Sequence, residues 1–586
     1  MLSKLFSLLD RGQKKSGALL LIMMLVAMVL EAASLGLIVP VLSVIADTKA
    51  NIKYVWLEPV IALLDGNRTH FIIVTMVLLV LLYAVKTAFL ALLAWQQAKY
   101  VFSVEASLSR RLYAGYLRQP YLFHIQLNSA LLVRNITTGV GQLAGAIMSG
   151  ASLVSECLVL VAVTALLLYV EPLGAVLVGG SMLVIGFGFY RLTRDRTFLW
   201  GENRQFHEGK RLQHLQFGLG GIREVKLLGR ESQFVADYEV HNSGNAHAGQ
   251  RQSFVTALPR LWLELLFVVS LTALVLTMIY QGRAVDAIMP ILGLFTAAAF
   301  RIMPSLNKVL IALQNLRFNL PVINTLFAER EFLVDSVQQA SSADPLVFKQ
   351  SLQLKHVSYR YPGTQSWALT DVNVEIARGL TVGVIGPSGA GKSTLINLIL
   401  GLFPPESGDI LADGLNIKDC MRAWQRCVSY VPQNVFLIDD SLRRNIAFGI
   451  PTETIDEDAL SRAVRAAQLT DFVASLPEGL NTQVGERGVK LSGGQCQRIG
   501  IARALYTDAP LLVLDEASSA LDTATEENIM DTINSLRNNK TILIIAHRLS
   551  TLSGCDHLYK VTGGRVERVE ADERLRLISG ARADYA

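Results

Sequence analysis

Six long apolar runs, at residues 16–46, 71–95, 141–170, 173–190, 261–280 and 287–313, decide what the first half of this 586-residue chain can become. About 20 apolar residues span the roughly 30 Å hydrocarbon core of a bilayer as an α-helix. Each run meets or approaches that length, the fourth being the shortest, and several overshoot it. They predict six transmembrane helices, some continuing beyond the membrane. Lys99, Arg110, Arg111, Arg118 and Arg134 fall in one connection. Arg191, Arg194, Arg196, Arg204, Lys210, Arg211, Arg223, Lys226, Arg230 and Arg251 fall in another, whereas the alternate loops hold only Lys49, Lys53, Arg68 and Arg283. With Lys4, Arg11, Lys14 and Lys15 at the start, the positive-inside rule sets both termini and both basic connections in the cytoplasm. The first run is too long for a removable signal peptide and lacks a small-residue cleavage site, so it is expected to stay as a helix.

Composition narrows the function classes. Hydrophobic residues make up 51% of the chain, and 54 basic against 49 acidic residues leave only +5, too dispersed a charge for a nucleic-acid binder. The five cysteines, Cys157, Cys420, Cys427, Cys496 and Cys555, form no CxxC pair and no ligand cluster with histidine, which indicates reduced thiols and neither a disulfide framework nor a zinc site. The texture changes after the last apolar run. The expected division is a membrane domain at 1–330, a linker at 331–345 and an α/β domain at 346–586, where strand-like runs (380–385, 511–514, 541–545) alternate with helical segments.

The chemistry is concentrated in the second half. Gly386-Pro387-Ser388-Gly389-Ala390-Gly391-Lys392-Ser393-Thr394 follows one strand-like run and precedes a helical one, which is the context a P-loop requires. Its glycines let backbone N–H groups turn inward around phosphates at a helix N-terminus, Lys392 adds a point charge there, and the Ser393 hydroxyl suits Mg²⁺. The apolar run 511–514 ends in Asp515 and Glu516, one acid placed for Mg²⁺ and the next for polarising an attacking water. His547 alone would read as a buried structural histidine. Its place just after a strand makes it a candidate γ-phosphate contact.

Together these residues resemble the ATPase of the ABC transporter family, and Leu491-Ser492-Gly493-Gly494-Gln495 resembles that family's signature loop. Around it, Tyr361 is similar to the adenine-stacking aromatic, Gln433 to the Q-loop glutamine that meets Mg²⁺, Gly485-Glu486-Arg487-Gly488 to the exporter X-loop, and Ser519 to Asp522 to the D-loop. Cys496 departs from the pattern, standing where the family usually has a charged or amide residue. The resemblance implies ATP and Mg²⁺ as cofactors and Glu516, His547 and Lys392 as catalytic residues. It also implies a nucleotide site completed only when a second chain supplies Ser492 and Gly494. With one ATPase per chain and no degenerate half-site, a homodimer is expected. Residues 121–127 and 221–226 resemble the short coupling helices of exporters.

The membrane half resembles, on shorter matches, the lipid-linked oligosaccharide flippases of bacterial protein glycosylation. The matches are Arg301, Pro304, Ser305 and Asn307 in the sixth run, Pro259, Arg260 and Glu264 opening the fifth, residues 31–40 in the first, and an amphipathic stretch at 55–64 similar to their external helix. That implies a bacterial cytoplasmic membrane and a polyprenyl-diphosphate-linked glycan or other anionic lipid as substrate. An exporter of drugs or lipid A, and a regulatory ATPase without transport, stay open. Lys86, Arg260 and Arg301 lie roughly 22, 30 and 21 Å from the outer ends of their runs at 1.5 Å per residue. A cation at such depth has to face water or meet an acid, with Glu31 and Glu264 the nearest candidates, and the flippase reading makes all three contacts to a diphosphate.

Overall fold

A computed structural model describes residues 7–36, 68–170, 172–282, 285–333, 346–517, 523–537, 539–546, 552 and 554–570. The stretch 55–64, residues 37–40, most of the expected linker, Ser519 to Asp522 and His547 lie outside the described residues. The chain forms two compact units, residues 1–119 with 123–338, and 120–122 with 339–586.

The described residues of the first unit form helices. Its elements are α1 (Arg11–Gly36), α2 (Arg68–Leu117), α3 (Tyr121–Gln126), α4 (Ser129–Arg134), a π-helical turn at Asn135–Gly139, α5 (Val140–Val170), α6 (Pro172–Gly220), α7 (Ile222–Leu228), α8 (Glu231–Tyr280), α9 (Val285–Phe318) and α10 (Leu320–Ala328). Among the described residues five helices are long and apolar enough to cross a membrane. The sixth run lies in α9, where Arg301 and Lys308 interrupt it. The 50 residues of α2 and of α8 are about 75 Å long at 1.5 Å per residue, far more than the hydrocarbon thickness, so both project well beyond it. Helical spacing writes the packing. Val159, Val163 and Leu167 of α5, Ala175, Val178 and Met182 of α6, Leu263, Leu274 and Met278 of α8, and Phe295, Ala298, Ile302, Leu306 and Leu310 of α9 recur at helical spacings of three, four or eleven residues and share one core. Leu20, Met24 and Ala27 of α1 meet Leu93 of α2 in a smaller one. Apolar side chains such as Ile22, Val29, Val80 and Leu81 stay exposed, as a lipid-facing surface requires.

The second unit holds two sheets. β1 (Ser351–Tyr359), β2 (Leu369–Ala377), β4 (Ser407–Ala412) and β5 (Leu415–Asn416) form an antiparallel sheet in the order β2-β1-β4-β5. β3 (Thr381–Ile385), β6 (Val428–Val431), β7 (Leu511–Asp515), β8 (Thr541–Ile545), β9 (His557–Thr562) and β10 (Arg565–Arg568) form the other, in the order β10-β9-β3-β8-β7-β6, parallel except for β10. Period-two alternation sends Leu511, Val513, Leu543 and Ile545 to one face, with Leu395, Ile396, Leu398 and Ile399 of α11 (Lys392–Ile399). It sends Leu512, Leu514, Ile542 and Ile544 to the other, with Ile499, Ile501, Ala502 and Ala504 of α12 (Gly493–Tyr506). The helix opened by the P-loop and the helix opened by the signature loop thus cover opposite faces of one sheet.

Candidate functional site

Register assembles the nucleotide-facing edge. Val384 of β3 and Asp515 of β7 both stand opposite Ile545 of β8, so the carboxyl ends of three neighbouring strands finish level. Open parallel sheets bind ligands at that edge. There β3 runs into the P-loop and α11, whose first-turn N–H groups and dipole favour an anion. A Cβ at Gly386 would collide with the Val561 carbonyl oxygen, and Gly391 has φ +111°, so both positions demand glycine. Lys392 is buried and its Nζ donates to the Gly386 and Pro387 carbonyls at 2.6 and 3.1 Å, which holds the ammonium at the loop. Ser393 is exposed at the helix start, and Thr394 is buried with Oγ1 3.0 Å from the Tyr361 hydroxyl. The Tyr361 ring packs edge-on against Tyr359 and Phe403 and keeps part of its surface open, a platform for a flat base.

The acids are held from two sides. Tyr430 donates to Asp515 Oδ2 at 3.3 Å; burial, reinforced by the Asp515 charge, pushes the phenol well above its ordinary range, so it keeps its proton and remains a donor. Glu516 follows at φ +49°, a region a glutamate occupies only when its surroundings fix it. Its N–H donates to the Ile545 carbonyl, Gln497 Nε2 donates to its carbonyl at 3.1 Å, and Gln433 Nε2 donates to its Oε2 at 2.6 Å. Gln433 therefore sits beside Glu516, with its amide oxygen as the atom suited to Mg²⁺. Sequence reasoning missed Tyr430 and Gln497, because neither belongs to the contiguous motifs that face phosphate.

Ser492 caps α12. Its Oγ accepts from the Gln495 N–H at 3.2 Å while Gln495 Oε1 accepts from the Ser492 N–H at 2.8 Å, a reciprocal capping box that leaves Ser492 and Gly493 exposed at a helix N-terminus. The loop is thus a second prepared anion end. Cys496 is half-buried in that helix, and burial raises its thiol pKa.

In the membrane domain Lys86 and Arg301 come together on Glu31, with Lys86 Nζ 3.5 Å and Arg301 Nη2 3.1 Å from its two oxygens. Lys86 also donates to Ser34 Oγ at 3.3 Å. Arg301 reaches on to Glu156 at 3.7 Å, and Glu156 accepts from Ser305 Oγ at 2.6 Å and Lys308 Nζ at 2.7 Å. One network therefore joins α1, α2, α5 and α9, and its three cations to two carboxylates leave a positive charge over. Glu31 is 3% exposed, whereas the Lys308 side chain is 53% exposed. Arg260 stands apart, 74% exposed and paired with Glu264 one turn on at 3.0 Å. Glu156 and Lys308 escaped the sequence reading; the available signal was an ionisable residue inside an apolar run. Among the described residues no disulfide joins the five cysteines, and no group of three or more His, Cys, Asp or Glu is placed to hold a metal ion.

This fold and these motifs define an ABC exporter half, a membrane domain of long helices joined to a P-loop ATPase, and the chain belongs to the ABC transporter family. The family model for the ABC transporter transmembrane region matches residues 17–281, and the one described as ABC transporter matches residues 369–519. Among curated relatives, an ATP-dependent lipid A-core flippase of Cupriavidus metallidurans is 33% identical over 465 residues, 77% of this chain and 76% of that protein. One of the same description from Thiobacillus denitrificans is 31% identical over 481 residues, 81% of each. A solved bacterial Atm1-family ABC exporter with ATP bound shares the fold, with TM-score 0.80 at 24% identity over 98% of this chain and 99% of that one. The relatives' names carry lipid A-core, which the sequence reading had as an alternative to an oligosaccharide on a polyprenyl lipid. ABC ATPases bind ATP with Mg²⁺, half-transporters of this type work as dimers, and the enzymatic activity is ATP hydrolysis coupled to movement of a substrate across a membrane.

Proposed function

We propose that this chain is one half of a homodimeric flippase that moves an anionic, phosphate-bearing glycolipid of the lipid A kind from the cytoplasmic to the outer leaflet of a bacterial cytoplasmic membrane. The observation that carries the proposal is the net-positive network inside the membrane domain. A cavity for apolar drugs has no use for Arg301 and Lys308, whereas a lipid phosphate needs them. Arg301 Nε is buried without a hydrogen-bond partner among the described residues, and Lys308 is half open, so both have capacity for an acceptor. The names of the curated relatives favour lipid A over the polyprenyl diphosphate, which offers similar phosphate chemistry.

On this reading the P-loop N–H groups and Lys392 bind the phosphates, Tyr361 stacks on the adenine, and Ser393, Gln433 and Asp515 hold Mg²⁺, which neutralises charge on the transferring phosphoryl group. Glu516 accepts the proton of the attacking water, and Ser492 to Gln495 of the partner subunit close the site. The test is the ATPase rate of the purified chain in nanodiscs against added lipid A, polyprenyl diphosphate and a cationic amphipathic drug. Lipid A is expected to stimulate the parent, and Arg301→Ala and Lys308→Ala to lose that stimulation while keeping the basal rate. Stimulation by the drug alone would overturn the proposal.

A further inference from the structure

Three histidines gather where α6 and α8 run beyond their apolar stretches. His207 and His214 lie two turns apart on α6, and His241 faces them from α8. At 1.5 Å per residue His207 and His241 are roughly 25–30 Å along their helices from residues 190 and 261, clear of the hydrocarbon. His207 Nδ1 and His241 Nδ1 are 3.1 Å apart. Metal–imidazole bonds of about 2.0–2.1 Å set two ligand nitrogens about 2.9–3.4 Å apart at octahedral or tetrahedral angles, so the separation is that of two ligands of one ion. The rings are also seated. Phe206 lies edge-on to both, His214 stacks on His241 with centroids 5.3 Å apart, and Gly244, one turn from His241, leaves room for the His207 ring, which a Cβ there would meet at 2.5 Å. All three histidines are half-buried, which leaves solvent access for an ion and its waters.

We infer that His207 and His241 form a chelating pair for a divalent d-block cation, Zn²⁺ or its neighbours, that staples α6 to α8. Two imidazole nitrogens define an open site, so solvent fills the remaining positions, with His214 able to join only by turning its ring out of the stack. Imidazole suits Zn²⁺, Ni²⁺ and Cu²⁺ and disfavours Mg²⁺ and Ca²⁺, which separates this site from the Mg²⁺ of the ATPase. Both Nδ1 atoms ligate only as lone pairs, so both rings carry their proton on Nε2 in the bound form. Binding moves the proton held between the Nδ1 atoms to the Nε2 of the ring that carried it, with no net release from two neutral rings, and protons compete with the metal for both Nδ1 lone pairs.

The experiment uses the tag-free full-length chain in detergent, titrated with Zn²⁺ alone and followed by bound metal per chain and by the unfolding temperature. One Zn²⁺ per chain is expected, removable by a chelator and raising the unfolding temperature. His207→Gln and His241→Gln should each abolish it, and Gly244→Ala, which keeps both ligands but displaces a ring, should weaken it about 10-fold. Each variant should keep the parent's basal ATPase rate, which verifies folding. Zn²⁺ bound equally by parent and both glutamine variants, or no saturable binding by the parent, would overturn the assignment.

Discussion

Glu516 shows how the site is set residue by residue. Its backbone sits at φ +49°, and the Gln433 amide fixes one carboxylate oxygen at 2.6 Å. Glu516→Gln keeps the size and the fold but removes the proton acceptor, so steady-state hydrolysis is expected to fall about 10²-fold or more while ATP binding persists. A purified variant hydrolysing at close to the parent rate would place the base elsewhere. Glu31 gives a second prediction at this scale. Its carboxylate serves Lys86 and Arg301 at once, so Glu31→Gln leaves two sheltered cations short of a partner and is expected to cost about 3–5 kcal/mol, read from thermal unfolding in detergent. Glu31→Leu with Lys86→Met, which removes donor and acceptor together, should cost less; an equal loss would mean the pair is not what stabilises these helices. The P-loop and signature-loop residues proposed to face phosphate were legible because contiguous motifs carry them. Lys86 and Arg301 were legible as a pair at equal depth, but Glu156 was not, since its partners Ser305 and Lys308 lie 149 and 152 positions away and only packing unites them.

At the scale of elements, close approach of helices decides more than hydropathy. Gly201 of α6 faces the backbone carbonyl of Phe318 at the end of α9, and any Cβ there would collide with it. Gly201→Ala should force the helices apart and destabilise the membrane domain by about 1–3 kcal/mol, measured as a lowered unfolding temperature. A variant as stable as the parent would show that α6 and α9 do not pack this way. The long apolar runs announced α1, α2, α5, α6, α8 and α9, and the strand-like runs announced β3, β7 and β8. The antiparallel sheet went unread. Between β1 and β2 the register shifts twice, with His356 and Asp371 at φ +51° and +48°, and such bulges break the period-two pattern that marks a strand.

For the whole molecule, the helices that follow the P-loop and the signature loop cover opposite faces of the ATPase sheet, so on the proposed reading one chain presents two half-sites that a second chain would complement. Mixing Lys392→Ala chains with Ser492→Ala chains should therefore restore hydrolysis above that of either alone, because one of the two sites in the mixed dimer is intact. Mixtures no more active than their components would argue against a composite site. The account's central claim is that this hydrolysis moves an anionic glycolipid between leaflets. The direct measurement is the leaflet distribution of a labelled lipid A in proteoliposomes, with and without ATP·Mg²⁺. The account predicts ATP-dependent transfer to the leaflet opposite the ATPase domain by the parent and none by Glu516→Gln; equal distributions for the parent with and without ATP, at a normal hydrolysis rate, would contradict it.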